Sequence, residues 1–408
     1  MDRREFISNA KNSALLLGLS AYLRPALAFA TGSNEPYFFV QVFLRFGWDV
    51  TLGTDPWLAA KPKDTDMFVE YDPSNVARSG NLAFGPAMLP LIPYANKMTV
   101  INGVFMSTSD NGHDAAEKYI KSGSTDQQWG TAAVEIFECR ETLPLGILNN
   151  NGVLLGSRSA LLTNLETIPE VTQISGALGG LPTPSSTDNH LTEVQATLAA
   201  NADALQSLTQ ILTQFKNEGE NLGDAHYMAA SFASGFSQVA DFEISNPLDT
   251  HSNHPGAHLS AQLKGWTSVA DLFRVFQKTP YGTGGQSLFD RTTFMIVSEF
   301  SRTPALNPSQ GKDHNPMTNS VVLLGPKVRG NNLIGGSRLV TAAESPTSMS
   351  YHIGSGIDWK TGQALPSPQG ASILRPENVV ATVVENLGIS RRRFAPLDPQ
   401  IPSLSHLL

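Results

Sequence analysis

A chain of 408 residues that is 41% hydrophobic and only 16% charged is long enough for one large domain or two ordinary ones. It is too apolar to be disordered. Its net charge of -8 argues against a nucleic-acid partner, which would call for a basic face. The single cysteine, Cys139, excludes an internal disulfide, and 34 glycines with 26 prolines mark a loop-rich fold.

In chain order, residues 1–30 read as a targeting segment. Arg3-Arg4-Glu5-Phe6-Ile7 is followed by the short apolar run Ser13 to Leu19, and Ala28-Phe29-Ala30 supplies a small-x-small cleavage pattern. This is similar to a twin-arginine export signal, which implies a periplasmic or secreted protein. The competing reading, an amphipathic helix that stays on, fits the order of regions less well. No other run approaches the ~20 apolar residues that span a bilayer, so no stable membrane anchor is expected.

Phe38 to Phe46 is almost continuously apolar and β-prone, the pattern of a strand buried on both faces, and it runs out at Gly47-Trp48-Asp49. Met98 to Val104 reads as a second strand and Asp114 to Lys121 as a helix. From about 186 to 245 Ala, Leu, Gln and Asn dominate and strand signals vanish. That stretch reads as a helical insertion, entered through the linker Pro182-Thr183-Pro184-Ser185-Ser186 and available to a protein partner. Leu259 to Gln277 has helical spacing, Thr292 to Ser298 and Ser320 to Leu324 read as strands, and Val379 to Leu387 as a closing helix. Strands alternating with helices predict an α/β layer architecture. Ligands of such sheets gather where strands end at their carboxyl edge.

Candidate metal ligands crowd into few segments. The chain has nine histidines, and His251, His254, His258 and His314 all fall between positions 251 and 314. Asp249, His251 and His254 lie within six residues, and imidazole with carboxylate is the ligand set of zinc, manganese or iron. The bland alternative is that Asp249 or Ser252 caps the next helix and the histidines are solvated; His258 reads as an ordinary residue of the first helical turn. Asp313-His314 sits in a polar loop between two strands, as a second ligand pair or a solvated turn. Asp49 and Glu299 stand at strand ends. Arg302 reads either as a clamp for a phosphate or carboxylate, or as a plain ion pair with Glu299. Thr108 and Ser109 precede a helix and are nucleophile candidates, although capping accounts for any single hydroxyl. His113 stands at the same edge. P-loop, strand-linked GxGxxG, HExxH and GxSxG patterns are missing, which disfavours kinase, nicotinamide and zincin chemistry.

The twin-arginine start, Gly47-Trp48-Asp49, Asp249-x-His251, Ser298-Glu299-Phe300-Ser301-Arg302-Thr303-Pro304 and Gly311-Lys312-Asp313-His314 together resemble domain-of-unknown-function family 1501. That family is placed in the alkaline-phosphatase-like superfamily beside sulfatases and phosphopentomutases. The resemblance covers roughly residues 35 to 390. It implies a three-layer α/β/α sandwich over residues 31–408, carrying the insertion at about 186–245, with one or two divalent metals, zinc or manganese, at the sheet edge. It implies ligands drawn from Asp49, Asp249, His251, His254, Glu299, Asp313 and His314, and a small anionic substrate. Two departures stand out: Glu299-Phe300 replaces an Asp-His pair, and Gly112 rather than a hydroxyl precedes His113. The expected function is an exported, metal-binding, hydrolase-like protein acting on phosphate or related esters. The alternative is a non-catalytic binding or scaffold protein on a decayed phosphatase fold.

Overall fold

The computed structural model describes residues 38–139, 147–150, 155–156, 162–169, 204–282, 285–366 and 373–408. Eight strands form one sheet: β1 (Phe38–Arg45), β2 (Met98–Asn102), β3 (Ile147–Asn149), β4 (Leu162–Asn164), β5 (Val239–Ser245), β6 (Thr292–Val297), β7 (Ser320–Leu324) and β8 (Asn332–Gly335), in spatial order β8-β2-β7-β6-β1-β5-β3-β4. All adjacent pairs are parallel except those of β7, which runs against β2 and β6.

The pleat of β1 explains the layers. Phe38, Val40, Val42 and Leu44 project into one apolar core and Phe39 and Phe43 into another, all essentially inaccessible. The first core is closed by α3 (204–217), α4 (Asp224–Ala233), α5 (Ala257–Lys278) and the 3-10 segment Pro86–Lys97. The second is closed by α1 (His113–Ser122), α2 (Ala132–Glu138) and α6 (Pro376–Asn386). Helices on both faces of a mostly parallel sheet make the α/β layering that the element pattern predicts and the three-layer α/β/α form that the resemblance implies. Each fully buried Leu, Val or Phe adds about 1.5–3 kcal/mol of transfer free energy.

One expectation fails in part. Residues 1–30, the linker at 182–186 and the insertion's first stretch, 186–203, lie outside the described residues. From 204 onward the segment belongs to the layers: α3 buries Leu205, Leu208, Leu212 and Phe215, and β5 pairs with β1 in the middle of the sheet. Asp241 and Glu243 hid this strand by breaking its apolar run. Both are buried because β1 and α1 bring cations to them, Lys121 Nζ at 2.9 Å from Asp241 and Arg45 Nη1 at 3.5 Å from Glu243. Burial of such charges is tolerated only with partners of this kind.

Candidate metal centre

The carboxyl end of β1 is a backbone hook. Phe46 (φ 84°) and Gly47 (φ 75°) are both left-handed, a conformation that costs a non-glycine residue of order 1–3 kcal/mol unless its surroundings enforce it. Here Phe46 N donates to Glu299 Oε1 (2.8 Å), and Arg302 donates through Nε to Gly47 O (3.0 Å) and through Nη2 to Phe46 O. A Cβ on residue 47 would lie 2.4 Å from the Phe300 ring, so glycine is required there on two counts.

Two further joints gather the loops. Ser301–Arg302 pairs antiparallel with His314–Asn315, which sets His314 beside the end of β6. The loops 249–254 and 310–314 are laced by His254 N donating to Gln310 O (2.7 Å) and Lys312 N to Thr250 O (3.0 Å). Gly311 permits this lacing, since a Cβ there would sit 2.0 Å from the His251 carbonyl carbon. Asp249 lies four residues beyond β5, and His113 opens α1.

These joints bring His113, Asp249 and His314 together, with ligand atoms all within 4.8 Å of one another. Around Asp249 Oδ1 stand His251 Nε2 at 3.2 Å, His113 Nε2 at 3.5 Å and His314 Nε2 at 3.9 Å; His251 Nε2 and His314 Nε2 are 3.1 Å apart. Ligands bound tetrahedrally at 2.0–2.1 Å are separated by about 3.3–3.4 Å, so the spacing fits one small divalent ion. Two imidazoles are aimed by buried or neighbouring carboxylates. His113 Nδ1 donates to Glu299 Oε1 (2.8 Å) and His251 Nδ1 to Asp313 Oδ1 (2.7 Å), which leaves each Nε2 lone pair toward the cluster. His113 Nε2 is buried without a hydrogen-bond partner. An ion in the cluster would take this nitrogen in place of its proton; without one the protonated nitrogen faces Asp249 Oδ1 at 3.5 Å.

Electrostatics agree. Burial, then the Arg302 and His113 charges, push His314 down to about 4, so its imidazole is neutral at pH 7. The hydrogen bond to Glu299 holds His113 above the usual imidazole range against burial, so an arriving ion would displace a proton there. Burial would raise Asp249, but the Arg302 hydrogen bond (3.0 Å) and charge hold it below the usual carboxylate range. Phe300 packs against the rings of both His113 and His314, with centroids at 4.9 and 4.2 Å, while the two imidazoles lie 4.5 Å from each other, so Phe300 forms an apolar floor beside them. The mouth is wet: the side chains of Asp249 and His251 are 43% and 46% exposed.

Not every candidate residue joins this cluster. Glu299 is 1% exposed and accepts from Phe46 N, His113 Nδ1 and Ser298 Oγ, so it orients His113 from beneath. Asp313 does the same for His251. Asp49 and His254 belong to a separate buried group. Asp49 Oδ1 accepts from Thr51 N and Oγ1, while Oδ2 lies 2.6 Å from Lys312 Nζ and 3.4 Å from His254 Nε2. Burial would raise Asp49, but the Lys312 ammonium and His254 hold it well below the carboxylate range. His258 is no ordinary first-turn residue: fully buried, it stacks on His254, shares the Thr250 hydroxyl with it and faces Asp49 N.

Arg302 is also spent internally, on Gly47 O, Phe46 O, Lys312 O and Asp249 Oδ1, at 1% exposure. It shapes the hook and steadies Asp249, and is no free clamp for an external anion. Thr108 and Ser109 stand on the loop just before His113. The Thr108 hydroxyl donates to Asp110 O, and Ser109 is exposed. The residue that ranked too low in sequence was His113; its signal was a histidine at a strand-to-helix junction of the right edge.

Residues 284–352 match the model of a protein family of unknown function (DUF1501). No curated protein matches the chain. Among solved structures, a protein of the alkaline phosphatase superfamily from Vibrio parahaemolyticus overlaps 77% of this chain at 7% identity and a TM-score of 0.33. The chain spans 65% of that protein's length. The lipoteichoic acid synthase LtaP from Listeria monocytogenes overlaps 91% of this chain and 77% of its own, at 8% identity and a TM-score of 0.32. The family match covers β6, the Glu299–Arg302 turn and the Asp313–His314 loop, and so includes His314 of the cluster and both carboxylates behind it.

Proposed function

We propose that this chain is an exported, metal-dependent hydrolase-like protein whose ion is held by His113, Asp249, His251 and His314, acting on phosphate or related esters. The observation that carries the reading is the meeting of His113, Asp249 and His314 at the sheet's carboxyl edge, with His251 Nε2 3.2 Å from Asp249 Oδ1 beside them, and with His113 and His251 oriented from behind by Glu299 and Asp313. A zinc or manganese ion so held supplies Lewis-acid polarisation of an ester oxygen. The chain's own groups do the rest. Glu299 and Asp313 fix which nitrogen of His113 and His251 carries the proton. Arg302 holds Asp249 in place, and the Phe300 floor keeps water from one side. Ser109 or Thr108, on the loop that delivers His113, is the proposed hydroxyl nucleophile.

A second reading, a non-catalytic binding or scaffold protein on a decayed phosphatase fold, has one observation in its favour. Lys312 already neutralises Asp49, and Arg302 is fully engaged, so two groups suited to an anionic substrate are turned inward. Export rests on the Arg3-Arg4 segment, and no helix among the described residues is long and apolar enough to cross a membrane.

Metal analysis of the chelator-stripped and reloaded protein, followed by phosphomonoester and phosphodiester assays, separates the readings. The hydrolase reading expects one zinc or manganese per chain, lost in Asp249→Ala and His314→Ala together with hydrolysis. Bound metal without hydrolysis gives the scaffold reading. Protein that takes up no metal, with both variants behaving as wild type, would sink the metal centre itself.

A further inference from the structure

The inner group of Asp49, His254 and Lys312 contains two residues that the sequence offers as metal ligands, and they keep ligand spacing. His254 Nε2 lies 3.4 Å from Asp49 Oδ2, close to the separation of two ligands on one tetrahedral ion. Both are held from behind. The Thr250 hydroxyl lies 2.8 Å from His254 Nδ1, and Asp49 Oδ1 accepts from Thr51 N and Oγ1. A backbone oxygen, Phe68 O, stands beside them, and what meets these acceptors is the Lys312 ammonium. Its Nζ donates to Asp49 Oδ2 (2.6 Å) and to Phe68 O (3.0 Å). Asp49, His254 and Lys312 are all buried.

As they stand, these residues do not fit a second ion. A divalent ion brought beside a fixed ammonium meets like-charge repulsion in an interior that screens poorly. Nor can the lysine swing away without breaking a joint. Lys312 N donates to Thr250 O (3.0 Å), Lys312 O accepts from Arg302 Nη1 (3.3 Å), and Phe68 N donates to Pro304 O (2.9 Å). Burial drives His254 toward its neutral form, so the Asp49 and Lys312 charges cancel within the group.

We propose that Lys312 is this chain's own substitute for a second metal ion: its ammonium permanently supplies the charge that a divalent ion would bring to Asp49 and His254, and the protein takes up one ion instead of two. The count of one rests on the proposed function, which loads the outer cluster; the substitution at the inner group does not. With one exchangeable ion, the two-ion clamp on an in-line displacement is out of reach, and the outer cluster is left with single-ion chemistry. A plain buried ion pair differs from such a substitute in one respect that can be measured: an ion cannot take the lysine's place.

The test counts zinc on the folded full chain by native mass spectrometry, with thermal unfolding alongside. Lys312→Ala removes the ammonium and keeps Asp49, His254 and Phe68 O. It should bind one zinc more than wild type: two against one, or one against none if the outer cluster holds no ion, which keeps failure of the two readings apart. Without zinc, Lys312→Ala should melt below wild type, and zinc should restore most of the loss. Adding His254→Gln to Lys312→Ala should remove the extra ion. Four outcomes overturn the proposal: a second zinc on wild type, no extra zinc on folded Lys312→Ala, an extra zinc that survives His254→Gln, or Lys312→Ala that stays unfolded with zinc present.

Discussion

Two groups of histidine and aspartate share the laced loops 249–254 and 310–314, and they have opposite fates. In the outer group, Asp249, His251 and His314 join His113 with their polar atoms gathered and carboxylates standing behind two of the rings. In the inner group, Asp49 and His254 are fully buried and the cation is already present as Lys312 Nζ at 2.6 Å. The same residue types make an open, half-exposed cluster in one place and a closed structural pair in the other. What differs is a lysine and access to solvent, not the presence of ligating side chains.

The largest effect should come from breaking the inner pair. Lys312→Met leaves Asp49 buried with an uncompensated charge, and such a loss typically destabilises by about 3–5 kcal/mol. Denaturant unfolding should show it, with most of the stability returning in Asp49→Asn/Lys312→Met. A loss of under about 1 kcal/mol would mean that Thr51 and His254 satisfy Asp49 unaided.

The outer group should respond in affinity before stability. Glu299→Gln keeps the shape but changes what orients His113, and metal affinity should fall about 10–100-fold, the usual cost of a lost orienting partner. Competition titration with a chromophoric chelator reads this directly. Unchanged affinity in Glu299→Gln, beside lost binding in His113→Ala, would make Glu299 a packing residue only.

The smallest effect is in pH dependence of the metal-free protein. His314 is depressed to about 4 in the fold against about 6.5 unfolded, so between these values the unfolded chain binds more protons. Its contribution to stability is therefore full above about pH 6.5 and is lost as pH falls toward 4. Solvent screening limits this to about 1–2 kcal/mol, because the side chain is 24% exposed. His113 has a raised value and works in the opposite sense: its contribution is present below about pH 6.5 and lost as pH rises through its folded value. The acid-side decline should therefore be shallower in His314→Gln than in wild type. Equal slopes in the two proteins would show that the His314 ring is freely solvated.

Much of this was legible in the residues. β1, β2, β6 and β7 and helices α1, α5 and α6 follow from apolar runs and from 3.6-residue spacing, because both cores are filled by those same side chains. The stripe on α5 is also seen, from Trp266 through Phe276, although Leu263 at its start is 39% exposed. β5 was not legible, since its charges are compensated by Lys121 and Arg45 from distant elements. The reversed direction of β7 was hidden too, because a strand buried on both faces reads the same whichever way it runs.

The sequence by itself determined the layer class, the edge at which chemistry gathers, and the pool of imidazoles and carboxylates available there. Only the tertiary structure decided their division, and the reason is physical. A ligand differs from a buried ion-pair partner in what lies 3 Å away, and here that is set by contacts across tens to hundreds of residues: Lys312 against Asp49, Glu299 against His113, and Arg302 threaded under Phe46 and Gly47.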